Sequence, residues 1–202
     1  VRRELAQSVS DPAFLASLGH DLRGPLGAIG TWIHVLGSEK ADAATQRQAL
    51  AAVQSGVVAE SHLVEHVSDL ASILAGTLRL TLEEVDLGSL LKDLGVEPRA
   101  PQVSSATVVA DPRRVRQLLA ILLPREGTGP VLVEHDEGPG MVSVRGNRHG
   151  GPGLVASTLA RALADLQGGR LTITAGEGGT AFVLVLPMPK QVDEHSLTSP
   201  TA

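Results

Sequence analysis

The stretch FLASLGHDLRGPLGAIGTWIHVL, Phe14 to Leu36, decides how the rest of the chain is read. Its apolar residues recur at Leu15, Leu18, Leu22, Leu26, Ile29, Ile33 and Leu36. Gaps of three and four mark one helix with one continuous stripe. His20 and Asp21 stand outside that stripe. A helix turns about 100° per residue, so both lie beside the seam, where another protein can reach them. Gly19, Gly24, Gly27 and Gly30 each cost roughly 1 kcal/mol relative to Ala. The stripe outweighs this, at roughly 1.5–3 kcal/mol per buried side chain, only when it has a partner. Pro25 removes the hydrogen bond to the Asp21 carbonyl and is expected to bend the helix. A softened helix suits a histidine approached from several sides; the competing account is that the glycines serve close packing.

Working outward, residues 1–36 read as one long helix whose main part starts at Asp11-Pro12, with Asp as N-cap. Gly37 to Asp42 is a short polar connection. A second helix is expected from about Ala43 to Leu78, with a stripe of Leu50, Val53, Val57, Val64, Val67, Ala71, Leu74 and Leu78. Two long helices joined by a short connection run antiparallel. Two stripes leave one side open, so a second copy is expected to complete a four-helix bundle: a homodimer through residues 1–78.

His20-Asp21-Leu22-Arg23-Gly24-Pro25-Leu26 resembles the phosphoacceptor box of two-component sensor histidine kinases, His-(Asp/Glu)-Leu-Arg-x-Pro-Leu, at every fixed position. The resemblance implies a dimeric hairpin carrying a phosphoryl group on His20. Asp21 is placed to orient or deprotonate the ring. Arg23, at i+3, is placed to pair with phosphoryl oxygens. Gly24, at i+4, leaves room for a partner's aspartate. The family's phosphatases carry Thr or Asn there, so weak phosphatase activity is expected.

Near Leu78 the period changes, and a domain boundary is placed there. Leu78 to Val85 alternates as a strand, and Asp86 to Leu94 reads as a capped short helix. Gly95 to Ser105 reads as a loop, Thr107 to Ala110 as a strand, and Asp111 to Leu123 as a helix capped by Asp111. Pro130 to Glu134 and Met141 to Arg145 form an expected hairpin. Val155 to Leu166 reads as a helix; Arg170 to Thr174 and Thr180 to Leu186 read as strands. The expected fold is α+β: the helical hairpin, residues 1–78, then an α/β sandwich, residues 79–187, with helices on one face of a mixed sheet. Residues 188–202 are expected to be a disordered tail.

The order of elements in 79–187 resembles the ATPase domain of the same kinases, most clearly at Asp111-Pro-Arg-Arg-Val-Arg-Gln-Leu-Leu and at the closing Gly-Gly strands. The residues that hold ATP are where the likeness fails. Ile121 and Arg125 stand where the family has magnesium-binding asparagines, and neither is a ligand for a cation. Pro124 ends the helix early. Asp136-Glu-Gly138-Pro-Gly140 spells the adenine loop, but its spacing fits a hairpin turn better. In that register the adenine-reading place falls near Gly146 or Asn147, with no carboxylate. Gly150-Gly151-Pro-Gly153 follows at once, without room for a lid, and sits about three residues from the family's glycine loop. Asp136, Gly138, Gly140, Gly151 and Gly153 are therefore the only candidates for a residual nucleotide site. No cofactor is expected; ATP and Mg²⁺ enter only if the chain is a working kinase.

Composition narrows the field. Net charge is −5, which gives no support to nucleic-acid binding. Cysteine is absent, which excludes disulfides and thiolate metal sites and suits a reducing cytoplasm. No apolar run is long enough to span a membrane. The chain opens on Val1, which leaves room for an upstream sensor. Aromatics are 1%, so the core is built from aliphatic residues. His62 and His66, at i and i+4, have a metal-binding spacing but no third ligand, and read as solvated surface residues. Arg113, Arg114 and Arg116 form a basic face that is either solvated or touches an acidic receiver.

Three readings follow. The first is a histidine phosphotransfer protein exchanging phosphate between response-regulator receiver domains through His20. The second is a sensor kinase core autophosphorylating from ATP. The third is a non-catalytic dimeric scaffold or regulator. The first is preferred, because the transfer residues survive and the ATP residues do not.

Overall fold

A computed structural model describes residues 1–38, 41–96, 98–99, 106–123, 131–135, 140–148, 151–176 and 179–189. Of the expected disordered tail, residues 188–202, the part from 190 onward lies outside the described residues; Met188, at its start, is held instead, its amide donating to the Gly140 carbonyl at 2.7 Å. The chain forms two compact units, one of residues 1–79 with 150–166, the other of residues 80–149 with 167–202.

The first unit holds α1 (Arg2–Ser10), α2 (Pro12–Leu36), α3 (Ala43–Ala75) and α6 (Leu154–Leu166). The long first helix is broken at Asp11, whose extended backbone (φ −67°, ψ 129°) lets its side chain accept from the Ala13 amide while Pro12 takes the first turn. Asp42 caps α3 in the same way, accepting from Thr45 at 2.8 Å, and that bond holds its carboxyl below the usual value. Gly76, at φ 72°, ends α3, so the helix stops three residues short of the expected Leu78. Arg2 reaches across and donates to the Leu74 carbonyl at 2.6 Å, placing a cation at the negative end of α3. α2 and α3 pack as an antiparallel hairpin.

The seam between them differs from the expected one. Within α3 the buried residues are Ala49, Gly56, Leu63 and Leu70, a seven-residue repeat one position away from the Leu/Val stripe, with Ile73 in the last turn. The reason is closeness: a Cβ on Gly56 would stand 2.6 Å from Ile29 Cγ1 and 3.5 Å from the Pro25 carbonyl. Small residues let the helices approach there, which hydrophobicity alone does not signal. Of the expected Leu/Val stripe, Leu50, Val57 and Val64 are more than half exposed, while Val53, Leu74 and Leu78 are half-buried. The molecule's one tryptophan, Trp32, is half-buried in α2.

The second unit holds β1 (Glu83–Asp86), α4 (Leu87–Asp93), β2 (Pro98–Arg99), β3 (Thr107–Ala110), α5 (Pro112–Leu122), β4 (Val131–His135), β5 (Met141–Arg148), β6 (Arg170–Gly176) and β7 (Gly179–Pro187). β1 and β3 pair antiparallel. The other strands form a mixed sheet in the order β2-β4-β5-β7-β6, parallel only between β2 and β4. The architecture is thus α+β, as expected. Two details differ. The strand expected from Leu78 is confined to Glu83–Asp86, because its partner β3 offers four residues. The loop from Gly95 contains β2, a two-residue strand on the sheet edge, where proline is tolerated. β7 alternates strictly, burying Thr180, Phe182, Leu184 and Leu186. Gly146 of β5 faces Phe182 in register, and the ring fills the place a side chain at 146 would need, 2.5 Å from its Cβ position.

Asp111 holds this unit together at one point. Its Oδ1 accepts from the Arg113 and Arg114 amides to start α5, and its Oδ2 accepts from the Thr81 amide at 2.9 Å. Its own amide donates to Gln167 Oε1 at 2.9 Å, in buried surroundings.

Candidate functional site

α2 carries His20 on its outer face, with a side chain 88% exposed; Asp21, next along, is 27% exposed. The closest approach is His20 Nδ1 to Asp21 Oδ1, 3.6 Å. That is beyond hydrogen-bond length and within ion-pair reach once the ring is protonated. The approach leaves Nε2 as the outward nitrogen. The Arg23 guanidinium folds back over Gly19, 3.5 Å from where a Cβ would stand there, and so remains beside the histidine turn. Gly24, one turn beyond His20, has nothing within 4 Å of its Cβ position. Gly27 and Gly30 are equally open. The glycines on this helix therefore do not serve packing within the hairpin, where the close approach belongs to Gly56 of α3.

Two features of this unit carried no sequence signal. A Cβ on Gly153, just before α6, would stand 2.8 Å from Asp21 Oδ2. Glu60, one turn beyond Gly56 on α3, has a buried carboxylate oxygen, Oε1, with no hydrogen-bond partner. Neither depends on periodicity or motif, so neither was visible before the helices were assembled.

Asp136 and Gly138 lie outside the described residues. They fall between β4 and β5, which pair antiparallel with His135 opposite Val142. Gly140 directly precedes β5 at φ 74°, a backbone that favours glycine. Gly151 and Gly153 are exposed in the segment leading into α6. Ile121 is buried in the last turn of α5, which ends at Leu122; Leu123 is extended, as a residue before proline prefers. Arg125 lies outside the described residues. Arg116 pairs with Asp93 at 2.8 Å and Arg114 donates to Gln117 at 2.8 Å, so two of the three arginines of that face have local partners. His62 is exposed, but His66 is half-buried, contrary to the expected solvated pair. Burial, and then the neighbouring His62, push the His66 ring below its usual value. Among the described residues no three His, Asp or Glu side chains gather as a metal site. No helix among them is long and apolar enough to cross a membrane.

No protein-family model matches the chain. It is 31% identical over 102 residues to the sensory/regulatory protein RpfC of Xanthomonas campestris pv. campestris, covering 48% of this chain and 14% of that protein. It is 30% identical over 135 residues to histidine kinase 3 of Arabidopsis thaliana, covering 58% of this chain and 12% of that protein. The chain thus spans about one seventh of the length of these relatives, or less. Among solved structures it is similar to the histidine kinase AdeS of Acinetobacter baumannii, with a TM-score of 0.59 at 20% identity, covering 84% of this chain and 98% of that one.

Proposed function

We propose that this chain, whose fold is shared with a histidine kinase and whose sequence relatives include sensor kinases, works in two-component signalling as a phosphotransfer module. His20 takes a phosphoryl group from one response-regulator aspartate and hands it to another. The observation that carries this reading is the His20 ring itself, almost fully exposed on a packed helix, with a carboxylate on its Nδ1 side and an open turn at Gly24.

The chemistry needs little else. Nε2 of the neutral ring attacks the phosphorus of an aspartyl phosphate; the P–O bond to the carboxylate breaks and the carboxylate leaves with its electron pair. The ring keeps its Nδ1 proton and becomes cationic, and Asp21 stands 3.6 Å away to balance that charge. Arg23 is close enough along the helix to meet phosphoryl oxygens. The return step reverses these movements onto a second aspartate.

The reading assigns no role to ATP or Mg²⁺. Its support is the chemistry of the side chains at the family's nucleotide positions. Ile121 offers no ligand atom and is buried, and the space beside Gly146 is taken by Phe182. A homodimer through residues 1–78 belongs to the same proposal. Leu15, Leu26, Ile33, Leu50, Val57 and Val64 all stand more than half exposed on α2 and α3, more apolar surface than a lone hairpin carries comfortably. Receiver domains as partners, and a cytoplasmic setting, complete it.

The test is incubation with a phosphorylated receiver. Label is expected on His20, and His20→Gln is expected to lose it by at least about a hundredfold. If label never reaches His20 and His20→Gln changes no signalling output, only the scaffold reading remains. Saturable micromolar binding of an ATP analogue with magnesium would favour the kinase reading instead.

A further inference from the structure

We infer that Gly153 is a positioning residue for the His20 site: its missing side chain is what lets the Asp21 carboxylate stand beside the ring. The chemical consequence rests on His20 being the phosphoryl carrier, whereas the contact itself does not. Gly153 and α6 belong to the same compact unit as α2 and α3. An ideal Cβ on Gly153 would lie 2.8 Å from Asp21 Oδ2, 3.5 Å from Cγ and 3.7 Å from Oδ1. Non-bonded contacts that short are not tolerated, so any larger residue at 153 moves the carboxylate.

What moves is the carboxylate rather than the helices. Asp21 meets Gly153 with the end of a short rotatable side chain, and Gly153 is not among the glycines held at positive φ. A methyl group there therefore costs little in folding and acts directly on Asp21. The other carboxylate oxygen is 3.6 Å from His20 Nδ1, a few tenths of an ångström beyond hydrogen-bond range. At that separation a small displacement decides whether the ring proton is held on Nδ1, leaving Nε2 free to attack. The exposures agree with a carboxylate covered on one side and a ring left open, 27% against 88%.

The test uses the full chain with Gly153→Ala, Asp21→Ala and the double variant. The ¹⁵N signals of the His20 ring at alkaline pH report which nitrogen carries the proton, and need neither phosphate nor partner. The rate and pH profile of phosphoryl uptake from phosphoramidate report the chemistry. Gly153→Ala is expected to move the ring signals and to change uptake by about three- to tenfold with an altered pH profile. In the Asp21→Ala background the same substitution is expected to do almost nothing, because the group it displaces is gone. Unchanged ring signals, or an equal shift in both backgrounds, overturn the inference. Should Gly153→Ala destabilise the chain, the double variant must recover stability, and failure to recover also overturns it. Ring signals that respond as expected in a protein that never takes up phosphate would uphold the positioning role while sinking the phosphotransfer reading.

Discussion

On α2 and α3, Leu15, Leu26, Ile33, Leu50, Val57 and Val64 stand 51–62% exposed, while in the sheet unit Leu118, Leu119, Leu184 and Leu186 are at 0%. Among the described residues every large apolar side chain left exposed belongs to the helical unit, with Leu82 the sole exception. Both units are built from aliphatic residues, so the contrast is not one of composition. The sheet unit closes its core within a single chain. The hairpin spends its small residues, Ala49 and Gly56, on its own seam and keeps its large ones outside. The proposed phosphoryl carrier, His20, is on that open side too, its side chain 88% exposed. The lesson is that burial alone does not mark the unit that works: under the proposed function, the open surface of the hairpin is the surface that meets other chains.

That contrast can be broken or sharpened by substitution. Leu118→Ala should have the largest effect, about 2–5 kcal/mol in urea unfolding, because its site is closed and cannot collapse freely. Gly56→Val should cost about 1–3 kcal/mol by forcing Ile29 and the Pro25 turn apart. Its unfolding midpoint would show this, and a neutral result would mean that the inner seam is looser than its geometry. Val64→Ala should change unfolding of the isolated chain by only about 0.5 kcal/mol or less. The same change should weaken self-association in sedimentation equilibrium, and an equal loss in both measurements would erase the distinction between the units.

The smallest effect concerns His66. Burial holds its folded ring below the ordinary value of 6.5, so the unfolded chain binds more protons in the window just beneath that value. Its contribution is complete above pH 6.5 and is lost as pH falls toward the depressed folded value. His66→Asn should therefore flatten the stability profile below pH 6.5 and leave it unchanged above, as read by thermal melts across that range.

Much of this arrangement was written in local patterns. The caps at Asp11, Asp86 and Asp111, the β4–β5 pairing and the exposed His20 all follow from neighbours a few residues apart, whereas Asp21 beside it is largely covered. What escaped depends on partners distant in sequence. The α3 seam was displaced by one position because Ala49 and Gly56 contribute closeness rather than hydrophobicity. The strand from Leu78 was overlong because alternation cannot reveal that β3 supplies only four residues. Asp111 announced itself as a helix cap, but not that Thr81 and Gln167 converge on it. The approach of Gly153 to Asp21 belongs to the same class, since a glycine in a turn and a glycine that makes room for a carboxylate are spelled alike.

The half-buried Trp32 gives the two units separate voices. With no tyrosine anywhere and the one indole on α2, emission excited at the red edge of the indole band comes from the hairpin alone. The sheet unit is dark at those wavelengths. A shift in emission colour during titration with a receiver or a second copy would thus be an unlabelled optical record of events on the hairpin.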